Sequence, residues 1–196
     1  MILRRCRGEK RGPTIAISGP PGGGKTTYAA RLARELGLEY YSAGKIFREV
    51  AKERGLTLEE LNRMAMEDPS IDYEIDSRTI ELGCRGGLVI DGHLVAWVLG
   101  DIADVKVYVT ADVNERVRRI AKREGRDFNE VYKDTIFREH IHYLRFLEIY
   151  GIDITNLSIF NLVVDTTSLD PDTIYNIVRE YTCNLVKAKG YKAVKC

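Results

Sequence analysis

The sequence lacks an apolar run close to the length of a membrane span, about 18 residues, and its N-terminus lacks the apolar core of a signal peptide. It also lacks an excess of one charge, since 30 lysines and arginines against 29 acids leave a net charge of +1. Without a strong basic field, bulk attraction to nucleic acid is not expected. These absences predict a cytoplasmic protein with no membrane partner and no nucleic-acid partner.

Clustered cysteines and histidines are missing as well. The four cysteines are scattered and form no C-x-x-C pair, and His140 and His142 have no cysteine or third histidine nearby. Scattered cysteines in a cytoplasmic protein favour reduced or buried thiols over disulfides or a zinc site. The four positions are Cys6, Cys84, Cys183 and Cys196.

The most specific pattern in the chain is G-x-x-x-x-G-K-[ST] at residues 19–26, here called the phosphate loop. Apolar residues 14–17 before it are typical of a buried strand, and residues 27–36 after it have helical spacing that stops at Gly37. A glycine-rich turn between a strand and a helix points backbone N–H groups at an anion. Lys25 can then reach the β- and γ-phosphates, and the Thr26 hydroxyl can ligate Mg²⁺. The pattern predicts binding of a nucleoside triphosphate.

The rest of the 196-residue chain alternates between strands and helices, as expected of one α/β domain. Further strands are predicted at residues 38–41, 88–91, 105–109 and 162–164. Helices are predicted from Asp112 to about Glu124 and from Asp170-Pro171 onward. Residues 1–12 and 189–196 are predicted to be frayed tails. The first of these is basic, and a nucleic-acid contact there is the less favoured alternative.

Two helical segments interrupt this alternation. The first insertion, residues 43–84, is predicted to hold a helix around residues 45–54, another after Thr57 and a third from Ile71. The second insertion, residues 125–151, is predicted to be a turn followed by one long helix. Ligands of open parallel sheets bind at the carboxyl ends of the strands, where both insertions leave the sheet. The arrangement predicts two flaps and therefore two substrates.

Several charged residues are candidates for binding phosphate or metal. Asp91 ends an apolar run at the predicted sheet edge, which suits a carboxylate that orients Mg²⁺, although a turn cap at Gly92 is the alternative. Arg48, and Arg78 with Asp76 nearby, lie on predicted helices of the first insertion. An arginine there can hold a phosphate bidentately or can simply be exposed.

Arginines are also concentrated towards the second insertion. Arg116, Arg119 and Arg123 share one helical face, and Arg138, His142 and Arg145 share another. A solvated basic face is the alternative to phosphate binding for either stripe. Convergence of both stripes beside a phosphate loop makes the two interpretations about equally favoured.

The chain resembles cytidylate kinases of the archaeal type, in the nucleoside monophosphate kinase group. The matching segments are residues 17–22, 42–48, 119–125 and 149–154. The resemblance implies a P-loop kinase fold with a parallel five-stranded sheet flanked by helices, a core at residues 13–42, 85–124 and 152–188, a monophosphate-binding first insertion, and a second insertion that acts as a lid. It implies Mg²⁺-dependent transfer of the ATP γ-phosphoryl group to CMP or dCMP. We expect a monomer.

The resemblance, taken with the patterns above, assigns roles by residue. ATP binding is expected of Gly19, Pro20, Pro21, Gly22, Gly23, Gly24, Lys25, Thr26 and Thr27. CMP binding is expected of Ser42, Arg48, Asp76, Arg78 and His93. Lid or catalytic roles are expected of Arg119, Arg123, Arg126, Arg138 and Arg145, together with Lys25, and metal binding of Thr26 and Asp91.

The chain departs from the family pattern at four positions. His93 replaces a usual arginine, and Asn161 replaces a usual aspartate before the last strand. His140 and Tyr143 stand where acids are usual. These departures bear on acceptor affinity and base choice, not on the fold.

Two other functions compete with this interpretation. One is another small-acceptor kinase of the adenylate, uridylate or shikimate type, and the other is a nucleotide hydrolase or switch. The sequence has no Asn-Lys-x-Asp motif for guanine, which argues against a GTP switch. The acceptor-side insertion argues against pure hydrolysis, since a hydrolase needs no second pocket.

Overall fold

The computed structural model describes residues 6, 8–192 and 194–196, with the side chains of Leu58, Glu59, Asn62 and Met66 excepted. Its centre is a five-stranded sheet of order β2-β3-β1-β4-β5, in which every neighbouring pair is parallel. The strands are β1 (Thr14–Ser18), β2 (Glu39–Ser42), β3 (Leu88–Asp91), β4 (Val105–Thr110) and β5 (Leu162–Asp165). The predicted α/β fold with a five-stranded parallel sheet is confirmed.

Helices cover both faces of the sheet and build the two insertions. They are α1 (Lys25–Leu36), α2 (Ala43–Glu53), α3 (Leu58–Glu67), α4 (Ser70–Arg85), α5 (Val95–Leu99), α6 (Val113–Glu124), α7 (Phe128–Tyr150) and α8 (Pro171–Ala188). Short 3₁₀ turns occupy Gly100–Ile102 and Leu157–Ile159. The first insertion is therefore α2 to α4, and the second is dominated by α7.

Side-chain caps explain where several of these helices begin. Thr57 accepts a hydrogen bond from the backbone N–H of Glu60, whose carboxylate accepts from the backbone N–H of Thr57, so that α3 starts with a capping box. Asp112 caps α6, and Asp127 caps α7. Each cap satisfies backbone donors that have no partner within the first turn, which fixes the start of the helix.

Alternating residues of the strands supply two separate cores. On one face, Ile15 and Ile17 of β1 pack with α1 and α8. On the other face, Ala16 packs with Leu88 and Ile90 and with helices α2, α4 and α5. All five residues of β1 are buried, as expected for the central strand of a sheet covered on both sides. The sheet thereby presents its carboxyl edge, and not a face, to solutes.

The structure corrects the predictions for the cysteines and the tails. Cys6 is bonded to Cys84, and Cys183 to Cys196, so the expected free thiols are disulfides instead. The partners are 78 and 13 residues apart, and the fold, not the local sequence, brings them together.

Both tails pack where fraying was predicted. The Lys10 ammonium donates to Asp104, 2.9 Å away, and Tyr191 of the other tail packs against the core. Arg4, Arg5 and Arg7 of the basic segment lie outside the described residues.

Within the described part of the chain, every helix falls short of the length and apolar character that a membrane crossing needs.

Candidate nucleotide site

The phosphate loop joins β1 to α1 at the carboxyl edge of the sheet and packs tightly against its neighbours. Gly19 has φ +146°, and a Cβ atom there would lie 2.0 Å from the carbonyl oxygen of Val109. Gly22 has φ +77°, and its Cβ would lie 2.6 Å from the carbonyl oxygen of Arg116. Only glycine fits either position, because a side chain would push the loop away from β4 and α6. The glycines therefore fix the loop close to the start of α1.

Lys25 is the buried cation of this loop. Its ammonium donates to the carbonyl of Pro20, 3.0 Å away. Burial lowers the pKa of Lys25 to about 8, and the positive charges of Arg138 and Arg116 act in the same direction while Asp91 opposes them. Burial disfavours the charged form of Lys25, and a bound anion would stabilise it. The electrostatics of the site therefore favour binding of phosphate.

Thr26 and Asp91, the two predicted metal ligands, lie together beside the loop. The Thr26 hydroxyl donates to Oδ2 of Asp91 over 2.8 Å, and the Tyr40 hydroxyl donates to Oδ1 over 2.7 Å. Asp91 is buried, with 4% of its surface exposed. A hydroxyl and a carboxylate oxygen are the hard donors that Mg²⁺ selects, and Mg²⁺ commonly takes only one or two protein ligands besides phosphate and water. The residues present thus fit a magnesium ion.

A cavity of about 510 Å³ lies on the other side of the loop. Its walls include Thr27 and Tyr28 of α1, Arg119 of α6, and the loop after β5 from Thr166 to Pro171. The Arg119 guanidinium is held by the side chain and the carbonyl of Thr166, at 2.8 and 2.7 Å. Arg119 therefore lies in the core beside the phosphate loop, and not in the second insertion that is the predicted lid.

Arg116 connects the phosphate loop to the second insertion. Arg116 is buried, with 7% of its surface exposed. Its guanidinium donates to the carbonyls of Ala111 and Pro21 and forms an ion pair with Glu139 of α7. A buried arginine is stable only with such partners. The pair anchors α7 over the loop.

A pair of histidines makes the next contact along α7. Nδ1 of His93, in the turn after β3, lies 3.2 Å from Nδ1 of His142. Burial, the neighbouring His142 and the cation Lys25 lower the pKa of His93 to about 3, and burial together with Arg138 lowers that of His142 to about 4. Both rings are therefore neutral near pH 7, with one donating and the other accepting.

The C-terminal end of α7 contacts α4 of the first insertion. Arg145 forms an ion pair with Asp72, and the Tyr150 hydroxyl donates to Asp76 over 2.5 Å. Burial raises the pKa of Asp76 to about 6, although the hydrogen bond from Tyr150 opposes this rise. Helix α7 thus crosses from the phosphate loop to the first insertion.

Other predicted residues lie apart from these contacts. Arg123 pairs with Glu124, and Arg126 pairs with Asp134. Arg78 pairs with Glu53 and Glu74 within the first insertion. The structure does not bring these three arginines to the phosphate loop.

The two predicted acceptor residues Ser42 and Arg48 lie where the first insertion begins, Ser42 as the last residue of β2 and Arg48 on α2. Arg48 is exposed. The side chain of Ser42 caps α2 by accepting a hydrogen bond from the backbone N–H of Lys45 over 3.0 Å. In the sheet, Ser42 of β2 lies beside Asp91 of β3. Ser42 is therefore at the carboxyl end of β2, next to the Asp91 carboxylate.

Sequence reasoning missed several residues of this region. The sequence patterns predict no role for Tyr40, Glu139, Asp72 or Tyr150, and they place Arg116 only on an arginine-rich helical face. Each acts through a partner that is distant in sequence, such as Glu139 for Arg116 and Asp76 for Tyr150. Only for Arg116 did the sequence carry a signal, because its spacing with Arg119 places both on one helical face.

Comparisons with known proteins identify the family of this chain. A family model described as an AAA domain matches residues 18–136. A cytidylate kinase from Staphylothermus marinus is 54% identical over 173 residues, which cover 88% of this chain and 98% of that protein. A cytidylate kinase from Aeropyrum pernix is 52% identical over 164 residues, which cover 84% of this chain and 95% of that protein.

A solved structure supports the fold independently. Shikimate kinase from Acinetobacter baumannii superposes with a TM-score of 0.56 at 18% identity, covering 93% of this chain and 97% of that one. At this identity the likeness speaks for the architecture alone. The predicted family is confirmed by the two close relatives, and the chain belongs to the cytidylate kinase family of P-loop kinases.

Proposed function

We propose that this protein transfers the γ-phosphoryl group of ATP to CMP or dCMP, giving ADP and CDP or dCDP. The observation that carries the proposal is the position of the phosphate loop between two helical insertions at one edge of the sheet. The identity of the acceptor is inferred from the relatives, which are named as cytidylate kinases.

The donor nucleotide fits the loop and the cavity beside it. Its phosphates would bind the backbone N–H groups of the loop and the ammonium of Lys25. Its base and ribose would occupy the cavity beside Arg119 and the loop after β5. The planar guanidinium of Arg119 can stack on a base, as arginine commonly does on aromatic rings.

Thr26 and Asp91 are the residues that would hold the Mg²⁺ of the nucleotide. When bound, the ion neutralises charge on the β- and γ-phosphates. The protein contributes the buried carboxylate of Asp91 and the Thr26 hydroxyl that donates to it.

The acceptor would bind between the first insertion and α7. Ser42, Arg48, His93 and Asp76 lie on the side of β2, β3 and α4, while Arg138 and Arg145 approach from α7. A carboxyl group such as that of Asp76 can accept from the exocyclic amine of cytosine. In this scheme the ion pair of Arg145 with Asp72 and the contact of Tyr150 with Asp76 hold the two sides together.

Arg78, Arg123 and Arg126 contribute only if the insertions rearrange. Each is paired with a carboxylate away from the loop. Movement of the end of α6 and of the turn before α7 on closure would be needed to bring Arg123 or Arg126 to the transferring group.

The chemical step needs little covalent help from the protein. An oxygen of the CMP phosphate attacks the γ-phosphorus of ATP, and the bond from that phosphorus to the β,γ-bridging oxygen breaks, so that ADP leaves with the electron pair. The acceptor oxygen is already anionic near pH 7, and no general base is required. Catalysis then comes from alignment and from the charges of Lys25 and the arginines of α7, in a site from which closure excludes water.

The compartment proposed for this reaction is the cytoplasm, where both nucleotides occur. Disulfides are compatible with that compartment in hyperthermophilic archaea, which keep them in intracellular proteins. We propose a monomer, because one chain supplies both sides of the cleft.

The direct test is ADP release measured with and without CMP, with CDP identified by chromatography. ADP formation that depends on CMP and equals CDP formation supports the kinase. Equal ADP release in the presence and absence of any acceptor would identify a hydrolase instead.

A further inference from the structure

Tyr40 makes a contact that the reaction described above does not use. It lies on β2, two residues before Ser42, which pairs in register with Asp91 of β3. Because alternate residues of a strand share a face, Tyr40 lies on the same face of the sheet as Ser42 and Asp91. Its ring packs against the core formed with α1, and its hydroxyl reaches Oδ1 of Asp91 at 2.7 Å.

The Asp91 carboxylate is held at both oxygens by different elements. Thr26, at the start of α1, donates to Oδ2, and Tyr40 donates to Oδ1. Two donors on separate oxygens fix the rotation of the carboxylate plane, which one donor alone leaves free. Each carboxylate oxygen accepts at two positions, so lone pairs remain for the cation or its waters.

We propose that Tyr40 is a positioning residue that orients the Asp91 carboxylate for the divalent cation of the bound nucleotide. The proposal rests on the proposed function only in needing a metal-bound nucleotide at the phosphate loop. Outer partners of metal ligands commonly contribute about 10- to 100-fold to metal affinity.

The test compares Tyr40→Phe with the unchanged protein by titration calorimetry with ADP, in excess Mg²⁺ and in EDTA. The variant keeps the packed ring and loses only the hydroxyl. We expect the affinity for ADP in EDTA to be unchanged and the affinity for MgADP to fall about tenfold. The Mg²⁺ concentration that gives half-maximal activity should rise by a similar factor.

Tyr41→Phe is the matched control. Tyr41 is the next residue of β2 and points to the opposite face, where its hydroxyl contacts Glu39 and Arg85. Its removal should leave both ADP affinities unchanged. In an Asp91→Asn background, Tyr40→Phe should add no further loss of MgADP affinity, because the carboxylate that it orients is gone.

Two results would overturn the proposal. One is MgADP affinity in Tyr40→Phe equal to that of the unchanged protein. The other is an equal loss with and without Mg²⁺, which would make Tyr40 a general support of the nucleotide site. Neither outcome depends on the acceptor, so a failure of the CMP kinase assignment would be seen separately, in the ADP release assay.

Discussion

The ammonium of Lys25 illustrates how burial prepares a single residue for its ligand. Its pKa is lowered from 10.5 to about 8, chiefly by burial. The neutral form therefore becomes populated as the pH rises through about 8. Bound phosphates would restore the charge, since a nearby anion favours the protonated form of an amine.

We predict from this shift that ATP affinity of the free protein decreases above about pH 8. Calorimetry across pH 6.5 to 9.5 should show the decrease, while kcat, which reports the nucleotide-bound state, should stay level through the same range.

Lys25→Met should abolish turnover and remove the pH dependence of affinity, with the fold retained. Lys122→Met, on the exposed face of α6, serves as the control. Retention of more than a few per cent of activity by Lys25→Met would refute the assignment of the ATP site.

The residues of the phosphate loop were predictable because a local pattern specifies them. Lys25 and Thr26 follow the last glycine of the motif, so the local sequence pattern is enough to identify them. Tyr40 and Glu139 were not predictable, because their partners Asp91 and Arg116 are reached only through strand pairing or helix packing. A tyrosine in an apolar strand, or a glutamate on a charged helix, carries no signal of such a contact.

Among the secondary-structure elements, α7 has the most consequence for function. It contacts the phosphate loop through Arg116, the turn after β3 through His93, and α4 through Asp72. One helix thus contacts both proposed substrate sites. Motion of α7 would open both together and would thereby couple acceptor binding to exclusion of water.

We predict different kinetic effects from arginines on the two insertions. Arg48→Ala should raise KM for CMP about tenfold or more with little change in kcat, since a charge-assisted bond to the acceptor phosphate is lost in ground and transition states alike. Arg138→Ala should instead lower kcat by about 10³-fold, because charge on the transferring group loses its cation.

Steady-state kinetics that vary ATP and CMP independently separate the two effects. Arg118→Ala is the control, since Arg118 is exposed on α6 and pairs only with Glu115 among the contacts described. The assignment of Arg48 to the acceptor phosphate and of Arg138 to the transferring group is wrong if Arg48→Ala strongly lowers kcat with CMP binding unchanged, or if Arg138→Ala has no effect.

The order of the long helices and strands could be predicted closely from the sequence. The short helices could not. Caps such as Thr57 and Asp112, and stops such as Gly37, mark helix ends through local hydrogen bonds or a left-handed φ. Helix α5 (Val95–Leu99) was missed, because five residues are too few for a helical period to be recognised. Its position depends on packing against β1 and α4.

At the scale of the whole molecule, both disulfides tie a tail to the edge of the sheet opposite the nucleotide site. Cys84 lies near the end of α4, shortly before β3 begins, and Cys183 lies in the second half of α8. Neither pairing follows from cysteine spacing, because both depend on where the folded chain places its ends.

We predict that reduction destabilises the protein without slowing catalysis at 25 °C. Chain-entropy estimates for closed segments of this size are about 4.5 kcal/mol for the first bridge and about 3 kcal/mol for the second. Cys84→Ser should therefore lower Tm by roughly 10 to 20 °C, and Cys183→Ser by less. Calorimetry with and without a reductant gives the measurement. A Tm that reductant leaves unchanged would contradict the stabilising role.

The measurement that tests the central claim most directly is an acceptor panel at saturating ATP and Mg²⁺. It determines kcat/KM for CMP, dCMP, UMP, AMP, GMP and shikimate by coupled ADP release, with a sample lacking acceptor to measure hydrolysis. The account predicts that CMP and dCMP are phosphorylated better than AMP, GMP or shikimate, and that release without acceptor is slow. Preferential turnover of AMP or shikimate would contradict it while leaving the fold untouched.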